Sequence, residues 1–387
     1  MNNILRVLPF WPKGRKILVN GEVFDEADIS ADQKGHFQRA NTTFRQAAVD
    51  AEDVTPGRWC LFVCYGCPWA QRAILMRHIK GLENAVPLVA TDGWWPFVKA
   101  LPALATGGWR ASEPLPPASL AAASPDLRLH AASPPLYLWR FYTATDPSYT
   151  GRVTVPFLWD CAKATVINND SADIIRILNS EPFAAMGSPS APDLYPEELR
   201  TEIDKLNETI YAFNNGVYRC GFAGTDEAFE AAQKELFSSI AFLENHLSSR
   251  SFLCGEVLTE CDVRCFTTLV KFDSAYFNAF RCNIGHIRSE FPNLHRYLEQ
   301  LYGLEPFRRS CQGMIFGYPL FYFCICRWKG RRLSNMLRLA EVSIFAMLFA
   351  LAPDTPPWRY WLASLCCVPL RITNYFVDPL PNRKVFF

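Results

Sequence analysis

The sequence predicts an α/β domain followed by an all-α domain. Between residues 59 and 89, a β-rich run, a run of helix formers and a second β-rich run follow one another. Two further β-rich runs at 153–159 and 164–167 are separated by a short polar connection, which is typical of a hairpin. From residue 197 onward, apolar residues recur in steps of three and four, the period of an amphipathic helix. The change of period along the chain indicates two domains of different class.

Composition and charge are those of an ordinary globular protein. Of the 387 residues, 50% are hydrophobic and 20% are charged, which is enough apolar side chain to bury one or two cores. The 39 Lys and Arg residues nearly equal the 38 Asp and Glu residues, so no overall field favours nucleic acid or an acidic membrane surface. We therefore expect a small-molecule or thiol partner, with no nucleic acid and no membrane.

The cysteines indicate the compartment. Fourteen of them are scattered through a long chain, which favours free thiols in a reducing environment over a disulfide scaffold. The apolar stretch at 4–10 is interrupted by Arg6 and Pro9 and is too broken for a signal-peptide core. We expect a cytoplasmic protein. A mitochondrial or other organelle location stays open, because four basic residues of the first 16 precede the first acidic one.

The first domain is predicted at 56–185, after an N-terminal arm of residues 1–55. The arm has little periodicity apart from a polar stretch near 37–48 that could be helical. Residues 59–63 combine β-branched and aromatic side chains after Pro56-Gly57, which predicts a buried strand.

A helix follows this strand directly. Pro68 suits a first helical position and Gly81 a helix end, and a second strand is expected at 86–89. Residues 99–135, rich in Ala, Pro and Ser, are interpreted as an irregular insert. Another helix is expected to begin near Ser171.

The second domain, all-helical, is predicted at 190–302. Two long helices are indicated by the apolar periodicity at 199–213 and 229–247. Thr259 and Asp262 have the spacing of a capping box at the start of a third helix. The following residues, 303–387, contain apolar runs that are shorter than the ~20 residues needed to cross a bilayer.

The strongest chemical signal is the segment Cys64-Tyr-Gly-Cys67-Pro68-Trp69-Ala70, between the first strand and the first helix. Unpaired backbone N–H groups and the positive end of the helix dipole are expected to stabilise a thiolate at Cys67 and lower its pKa, with Arg72 adding to the effect. Ala70 stands where a dithiol oxidoreductase has its resolving cysteine, which predicts chemistry with one protein thiol.

This cysteine pair has two other interpretations. One is a buried, inert cysteine, which the proline directly after Cys67 disfavours because it fixes the helix start at the sulfur. The other is zinc, which needs two further ligands. No second pair with this spacing precedes Cys324, and Cys324 and Cys326 are too close to supply it. We therefore expect no metal.

The Cys-Pro-Trp-Ala motif resembles the active site of the glutathionyl-hydroquinone reductases, the Xi class of glutathione transferases. The likeness covers about 35–98 and 136–302. It is carried by Thr154-Val-Pro-Phe-Leu-Trp-Asp160, Asn169-Asp-Ser171, Asp193-Leu-Tyr-Pro196, Asn214-Asn-Gly-Val-Tyr218, Gly221-Phe-Ala223 and Leu258-Thr-Glu-Cys-Asp-Val-Arg264.

This resemblance implies a thioredoxin-like domain followed by a helical glutathione-transferase domain. Pro156 would follow a cis peptide bond, and the backbone of Val155 would pair with the cysteinyl amide of glutathione. Asp170 and Ser171 would hold the γ-glutamyl end, at a helix N-terminus that suits a carboxylate.

Three further residues are implied by the same resemblance. Trp94 would pack on glutathione, Arg152 would contact it, and Tyr218 would reach the quinone oxygen from the helical domain as a second catalytic residue beside Cys67. The alternatives are an ordinary core aromatic for Trp94 and Tyr218, and a solvated side chain for Arg152.

The activity that the resemblance implies is glutathione-dependent reduction of glutathionyl-quinones to hydroquinones through a mixed disulfide of Cys67 with glutathione, releasing oxidised glutathione. Glutathione would be the co-substrate, and the chain would form a homodimer. Two alternatives stay open. One is a broader glutathione-dependent thiol transferase, acting in deglutathionylation or dehydroascorbate reduction, and the other is a glutathione-binding relative with impaired catalysis.

The sequence also departs from the family. Asp170 replaces a glutamate, and Cys64, which is outside the family motif, could form a disulfide with Cys67 under oxidation. After Tyr302 the family's closing segment, with its second substrate tyrosine, is absent. Residues 303–387 therefore read as a non-family tail, of the kind that a translated intron or a shifted reading frame produces.

Overall fold

The computed structural model describes residues 16–25, 32–91 and 137–311, which all belong to one compact unit. The predicted insert at 99–135, Trp94 and the tail beyond residue 311 lie outside the described residues. Within the described ranges, no helix has both the length and the apolar character that a membrane crossing requires.

The first half of the described chain combines strands with helices. In chain order the elements are β1 Lys16–Val19, β2 Glu22–Asp25, β3 Trp59–Val63, α1 Pro68–Ile79, β4 Leu88–Ala90, α2 Trp139–Thr145, β5 Gly151–Arg152, β6 Phe157–Asp160, β7 Thr165–Asn168, α3 Ser171–Asn179 and α4 Glu181–Ala184. A short 3₁₀ turn, Ala51–Asp53, precedes β3.

β3 lies inside a sheet with the strand order β4–β3–β6–β7, parallel to β4 and antiparallel to β6. Because side chains alternate across a strand, Trp59, Leu61 and Val63 pack with residues of α1 and α3. Cys60 and Phe62 pack on the opposite face with residues of α2. Both faces are covered, which explains why the whole strand is buried and apolar.

The predictions for these elements are confirmed in kind. β3 and the start of α1 lie where the sequence places them, and β6 and β7 form the expected antiparallel hairpin. α1 ends before Gly81, whose φ of +66° is accessible to glycine at little cost. β4 begins later than expected, because the N–H of Val86 bonds back to the carbonyl of Leu82, 2.8 Å away, in the turn after the helix.

The possible helix at 37–48 is wrong. Its backbone groups bond to the edge of the sheet instead: the N–H of Gln46 donates to the carbonyl of Ile167 (3.1 Å), and the N–H of Asn169 donates to the carbonyl of Phe44 (3.0 Å). Upstream, β1 pairs with both β2 and β5. The N-terminal arm is therefore an extended strap along the first domain.

The second half is helical, as predicted. Its elements are α5 Arg200–Gly221, α6 Asp226–His246, α7 Glu260–Lys271, the π-helix Phe272–Tyr276, α8 Phe277–Ala279, α9 Ile287–Glu290, α10 Pro292–Gly303 and α11 Glu305–Ser310. Short 3₁₀ turns, Glu197–Leu199 and Leu247–Ser249, precede α5 and follow α6.

Two local sequence signals explain how these helices are held. α5 and α6 approach closely at Gly216, where an added Cβ would lie 3.1 Å from Cδ1 of Leu236. α7 begins after Thr259, whose N–H donates to the carboxylate of Asp262 at 2.8 Å, so the capping box is confirmed.

One continuous core joins the two halves, with residues of α1 and α3 packed among those of α5, α6 and α7. At this junction the buried carboxylate of Glu260 accepts hydrogen bonds from Arg176 (2.8 Å) and Arg264 (2.7 Å). The helical structure continues past the predicted boundary at residue 302. α11 packs on α1, with Phe307 buried and Ser310 bonded to Gln71.

Candidate active site

Cys67 lies where the central strand turns into α1, and it is the N-cap residue of that helix with extended backbone angles. Pro68 occupies the first helical position, so the helix starts directly after the sulfur-bearing residue. The Sγ atom lies 3.6 Å from the carbonyl oxygen of Val155. The residue as a whole is partly exposed.

The low pKa expected for Cys67 is wrong. Burial raises the pKa of the thiol above its ordinary value of 9.0. The backbone N–H groups of Ala70 and Trp69 and the charges of Lys271 and Arg39 act in the opposite direction, and burial outweighs them. The predicted helix-start effect is therefore present but smaller than the desolvation that the surrounding helices impose.

Arg72 does not have the role expected of it. Its side chain is buried, its Nη1 donates to Oγ of Ser171 at 3.3 Å, and its guanidinium lies 4.4 Å from the ring of Trp69. Burial lowers the pKa of Arg72 to about 9. Arg72 therefore links α1 to the start of α3 rather than acting on the sulfur of Cys67.

Cys64 differs from Cys67 in its surroundings. It is buried, and burial raises the pKa of its thiol to about 11. Both residues are free thiols in the structure. A disulfide between them stays a prediction.

The residues predicted to bind the peptide part of glutathione frame the sulfur. The Val155–Pro156 bond is cis, as the resemblance implies. Asp170 is the N-cap of α3, where one carboxylate oxygen accepts from the N–H of Ala172 (2.8 Å) and the other from the hydroxyl of Thr42 (3.1 Å). Ser171 follows as the first helical residue. Their binding roles are untested by the structure and stay predictions.

Two other residues, Trp94 and Arg152, are predicted to contact glutathione. No described contact joins either of them to Cys67. Trp94 lies outside the described residues. Arg152 lies in β5, where it pairs with Ile17 of the arm, and its carbonyl accepts from the hydroxyl of Tyr149 at 3.0 Å.

Tyr218 projects from α5 toward the start of α1. Its ring centroid lies 6.1 Å from that of Trp69, two residues after Cys67, and 6.1 Å from that of Tyr276 in the π-helix. Burial raises the pKa of the Tyr218 phenol above its ordinary value of 10.0, and the nearby Cys67 acts in the same direction. The phenol therefore stays protonated and is available as a hydrogen-bond donor.

Sequence reasoning missed Arg39, which the arm carries into this site. Its guanidinium carbon lies 4.5 Å from the ring of Trp69 and 5.0 Å from the ring of Tyr218. Its Nε donates to Oδ1 of Asn215 at 2.9 Å. The signal that pointed to it was the start of the family likeness near residue 35, well before the first predicted strand.

Lys271, at the end of α7, was also missed. Its side chain is fully buried and its Nζ bonds to Oε1 of Gln71, four residues after Cys67 on α1. Burial lowers the pKa of Lys271 to about 8, while the thiols of Cys311, Cys67 and Cys64 act in the opposite direction. The sequence feature that could have revealed it is that the lysine directly follows the apolar pair Leu269 and Val270.

Metal ligands are not grouped in the described part of the chain: no cluster of three or more His, Cys, Asp or Glu side chains is suited to hold an ion there. The candidate site consists of one partly exposed thiol, a phenol, an arginine and the N-termini of two helices. This set suits a thiol exchange reaction on an aromatic substrate.

The chain is similar to known glutathione transferases in sequence and in structure. The model described as Glutathione S-transferase, N-terminal domain, matches residues 66–181, and that of the C-terminal domain matches 226–300. Glutathionyl-hydroquinone reductase PcpF of Sphingobium chlorophenolicum is 38% identical over 288 residues, or 74% of this chain and 84% of the relative.

Solved structures of glutathione transferases are also similar to this chain. The glutathione-S-transferase Xi from Phanerochaete chrysosporium aligns with a TM-score of 0.62 and 36% identity, over 76% of this chain and 91% of that one. The glutathione-bound structure of YqjG, a glutathione transferase homolog from Escherichia coli K-12, aligns with a TM-score of 0.60 and 32% identity, over 80% of this chain and 92% of that one.

Proposed function

Because the chain belongs to the Xi class of glutathione transferases, the glutathionyl-hydroquinone reductases, we propose that it reduces glutathionyl-hydroquinones to hydroquinones at the expense of glutathione. The chain is a glutathione-dependent oxidoreductase of this superfamily. The observation that carries the finer proposal is Cys67 at the start of α1, with Ala70 in the position of a resolving cysteine and Tyr218 facing the same helix end.

The first step forms a mixed disulfide. The substrate ketonises, which moves a hydroxyl proton to the ring carbon that bears sulfur. The thiolate of Cys67 then attacks the sulfur of the bound glutathionyl group. A sulfur–sulfur bond forms, the carbon–sulfur bond breaks, and its electron pair moves to the ring oxygen as a phenolate. The ring gains two electrons, the two sulfurs are oxidised to a disulfide, and a proton on the phenolate completes the hydroquinone.

The second step restores the enzyme. The thiolate of a second glutathione attacks the glutathione sulfur of the mixed disulfide, and the Cys67 thiolate leaves. The products are oxidised glutathione and free enzyme. No second protein thiol is needed, which agrees with Ala70 in the position of a resolving cysteine.

The remaining residues would bind and orient the substrates. Val155 would pair with the cysteinyl amide of glutathione, Asp170 and Ser171 would hold its γ-glutamyl end, and Trp94 and Arg152 would complete its site. Tyr218 would donate a hydrogen bond to the ring oxygen. We further propose a cytoplasmic homodimer, in which glutathione is the co-substrate and no metal takes part.

The experiment that tests this function compares two substrates. Purified protein is given glutathione and either a glutathionyl-hydroquinone or the mixed disulfide of glutathione with 2-hydroxyethanethiol, and hydroquinone release and oxidised glutathione are measured. We expect turnover of the hydroquinone conjugate and its loss in Cys67→Ser. Turnover of the mixed disulfide alone would instead indicate a broader thiol transferase, and glutathione binding without any turnover would indicate an impaired relative.

A further inference from the structure

Arg39 is a charged side chain of the described site that uses only part of its hydrogen-bond donors in contacts with the protein. Its Nε is used by Asn215, but within the described residues its two terminal nitrogens have no hydrogen-bond acceptor. The guanidinium is held in place by the rings of Trp69 and Tyr218, 4.5 and 5.0 Å from its carbon. A positive group with unused donors is thus fixed beside the residues that flank Cys67.

A cavity of about 470 Å³ opens next to this guanidinium, between the arm and α5. Its lining residues are Asp32, His36, Phe37, Gln38, Arg39, Tyr211, Asn215 and Arg219. The rings of Phe37 and Tyr211 give the cavity aromatic walls, and the ring of Tyr211 lies 6.3 Å from that of Trp69. Tyr211 thus belongs both to the lining of the cavity and to the group of aromatic rings beside Cys67.

The other charges of this cavity are already satisfied. Arg219 forms an ion pair with Glu235, and the carboxylate of Asp32 accepts from the backbone N–H groups of Lys34 and His36, each at 2.9 Å. Of the two arginines that line the cavity, Arg39 is the one that has no carboxylate partner among the described residues. An anionic oxygen on an aromatic ring is the ligand group that matches it.

We propose that Arg39 is a catalytic residue of the reductase, which binds the ring oxygen that becomes a phenolate when the carbon–sulfur bond breaks. The inference rests on the proposed function. The ring lies in the cavity against Tyr211 and Phe37, and Tyr218 and Arg39 donate to the same oxygen. The negative charge is thereby stabilised as it forms, and the site selects glutathionyl conjugates whose ring carries an oxygen next to the sulfur-bearing carbon.

The test uses Arg39→Gln, which removes the charge and keeps a donor for Asn215, and Arg39→Lys, which keeps the charge. Single-turnover release of hydroquinone is measured for conjugates whose ring substituents change the acidity of the phenol. The matched control is Arg281→Met, because Arg281 stacks on Phe229 at 4.3 Å in the helical domain. All variants are also assayed with the mixed disulfide of glutathione and 2-hydroxyethanethiol, which produces no phenolate.

We expect Arg39→Gln to lose on the order of 10²-fold in hydroquinone release and to depend more steeply on phenol acidity. Its mixed-disulfide rate should fall much less, because on that substrate the variant loses only the support that the Arg39 charge gives to the Cys67 thiolate. Arg39→Lys should retain part of the activity, and Arg281→Met all of it. Equal losses of Arg39→Gln on both substrates, or an unchanged dependence on phenol acidity, would overturn the role of Arg39. A wild-type protein that turns over only the mixed disulfide would overturn the proposed function itself, and the inference with it.

Discussion

The sulfur of Cys67 and the carbonyl oxygen of Val155 are 3.6 Å apart, close enough for the thiol to donate a weak hydrogen bond. A thiolate cannot make this contact. The backbone of Val155 is also the group that family resemblance assigns to the cysteinyl amide of glutathione. If glutathione pairs with Val155 as we propose, it competes with the thiol proton for the same backbone segment, and binding then favours loss of that proton.

This competition predicts how the pKa of Cys67 responds to ligand. Since burial raises the pKa above 9.0 in the free protein, thiolate is scarce at neutral pH and increases as the pH rises. S-methylglutathione, which cannot react, should lower the pKa. Thiolate absorbance of the wild type minus that of Cys67→Ser, titrated with and without this ligand, measures both values. The same midpoint in both titrations would contradict the idea.

The two cysteines of the motif should differ sharply on substitution. Cys67→Ser is expected to lose ~10³-fold or more in reductase activity with the fold intact, because a serine hydroxyl is a poor nucleophile here. Cys64→Ser should keep most activity, since Cys64 is buried and its pKa of about 11 disfavours thiolate. It should also resist inactivation by peroxide. Steady-state rates before and after peroxide treatment measure this, and equal losses in both variants would refute one-thiol chemistry.

The buried charge of Lys271 predicts a pH-dependent stability. Its pKa is lowered from 10.5 to about 8 in the folded protein, so folding releases a proton between these values and stability rises with pH there. Lys271→Met, which removes the charge, should be more stable than the wild type at neutral pH. The difference should shrink between about pH 8 and 10.5.

Urea unfolding at several pH values measures this difference. The matched control is Lys80→Met, because Lys80 is also buried but bonds to Asn179 and to the carbonyl of Pro192. That variant should be destabilised, since two acceptors lose their donor. A pH-independent effect of Lys271→Met would mean that the lysine is not the group that titrates.

Glu260 should be among the most sensitive positions for stability. Its buried carboxylate accepts from Arg176 and Arg264. Glu260→Gln leaves Arg264 without its counter-charge and leaves Arg176 with Asp204 alone. We expect a loss of ~3–5 kcal/mol in the free energy of unfolding. Glu235→Gln is the comparison, since Glu235 is an exposed partner of Arg219 and should cost about 1 kcal/mol or less. Similar values for the two variants would contradict this account.

The end of the helical domain can be tested by truncation. A chain ending at Cys311 retains α11, whereas one ending at Tyr302 loses it. That loss removes the packing of Phe307 on Phe266, whose ring centroids are 4.9 Å apart, and the bonds of Ser310 to Gln71. We expect the shorter chain to be less stable by ~3 kcal/mol or more. Thermal unfolding of the two truncated chains measures the difference in stability, and equal stabilities would contradict the prediction.

Local signals predicted the elements that depend on local chemistry. The apolar run of β3, Pro68 at the start of α1 and the Thr259–Asp262 capping box each record interactions within a few residues. The conformation of the arm could not be predicted from local signals, because the groups that bond its backbone, such as Ile167, lie more than a hundred residues away. Hydrogen bonds to the edge of the sheet determine its extended conformation, so the sequence pattern of the arm itself does not predict it.

The site was predictable to the same extent. Cys67 could be identified because the strand–helix junction surrounds it in sequence, but its pKa could not. The helix-start argument counts donors near the sulfur and omits the desolvation that packing of α5 and α7 imposes. Arg39 was missed for a related reason: only the folded arm brings it over Trp69.

The arm also sets the order in which the protein is completed. Its partners come late in the chain, with Ile17 paired to Arg152 and the carbonyl of Gly35 bonded to the N–H of Gly224. Synthesis proceeds from the N-terminus, so the arm leaves the ribosome before any of these partners exists. Contacts between residues this far apart close slowly. Since Arg39 belongs to the arm, the sheet and helices can assemble around Cys67 first, and the catalytic site becomes whole only when the earliest-made segment docks onto one of the later ones.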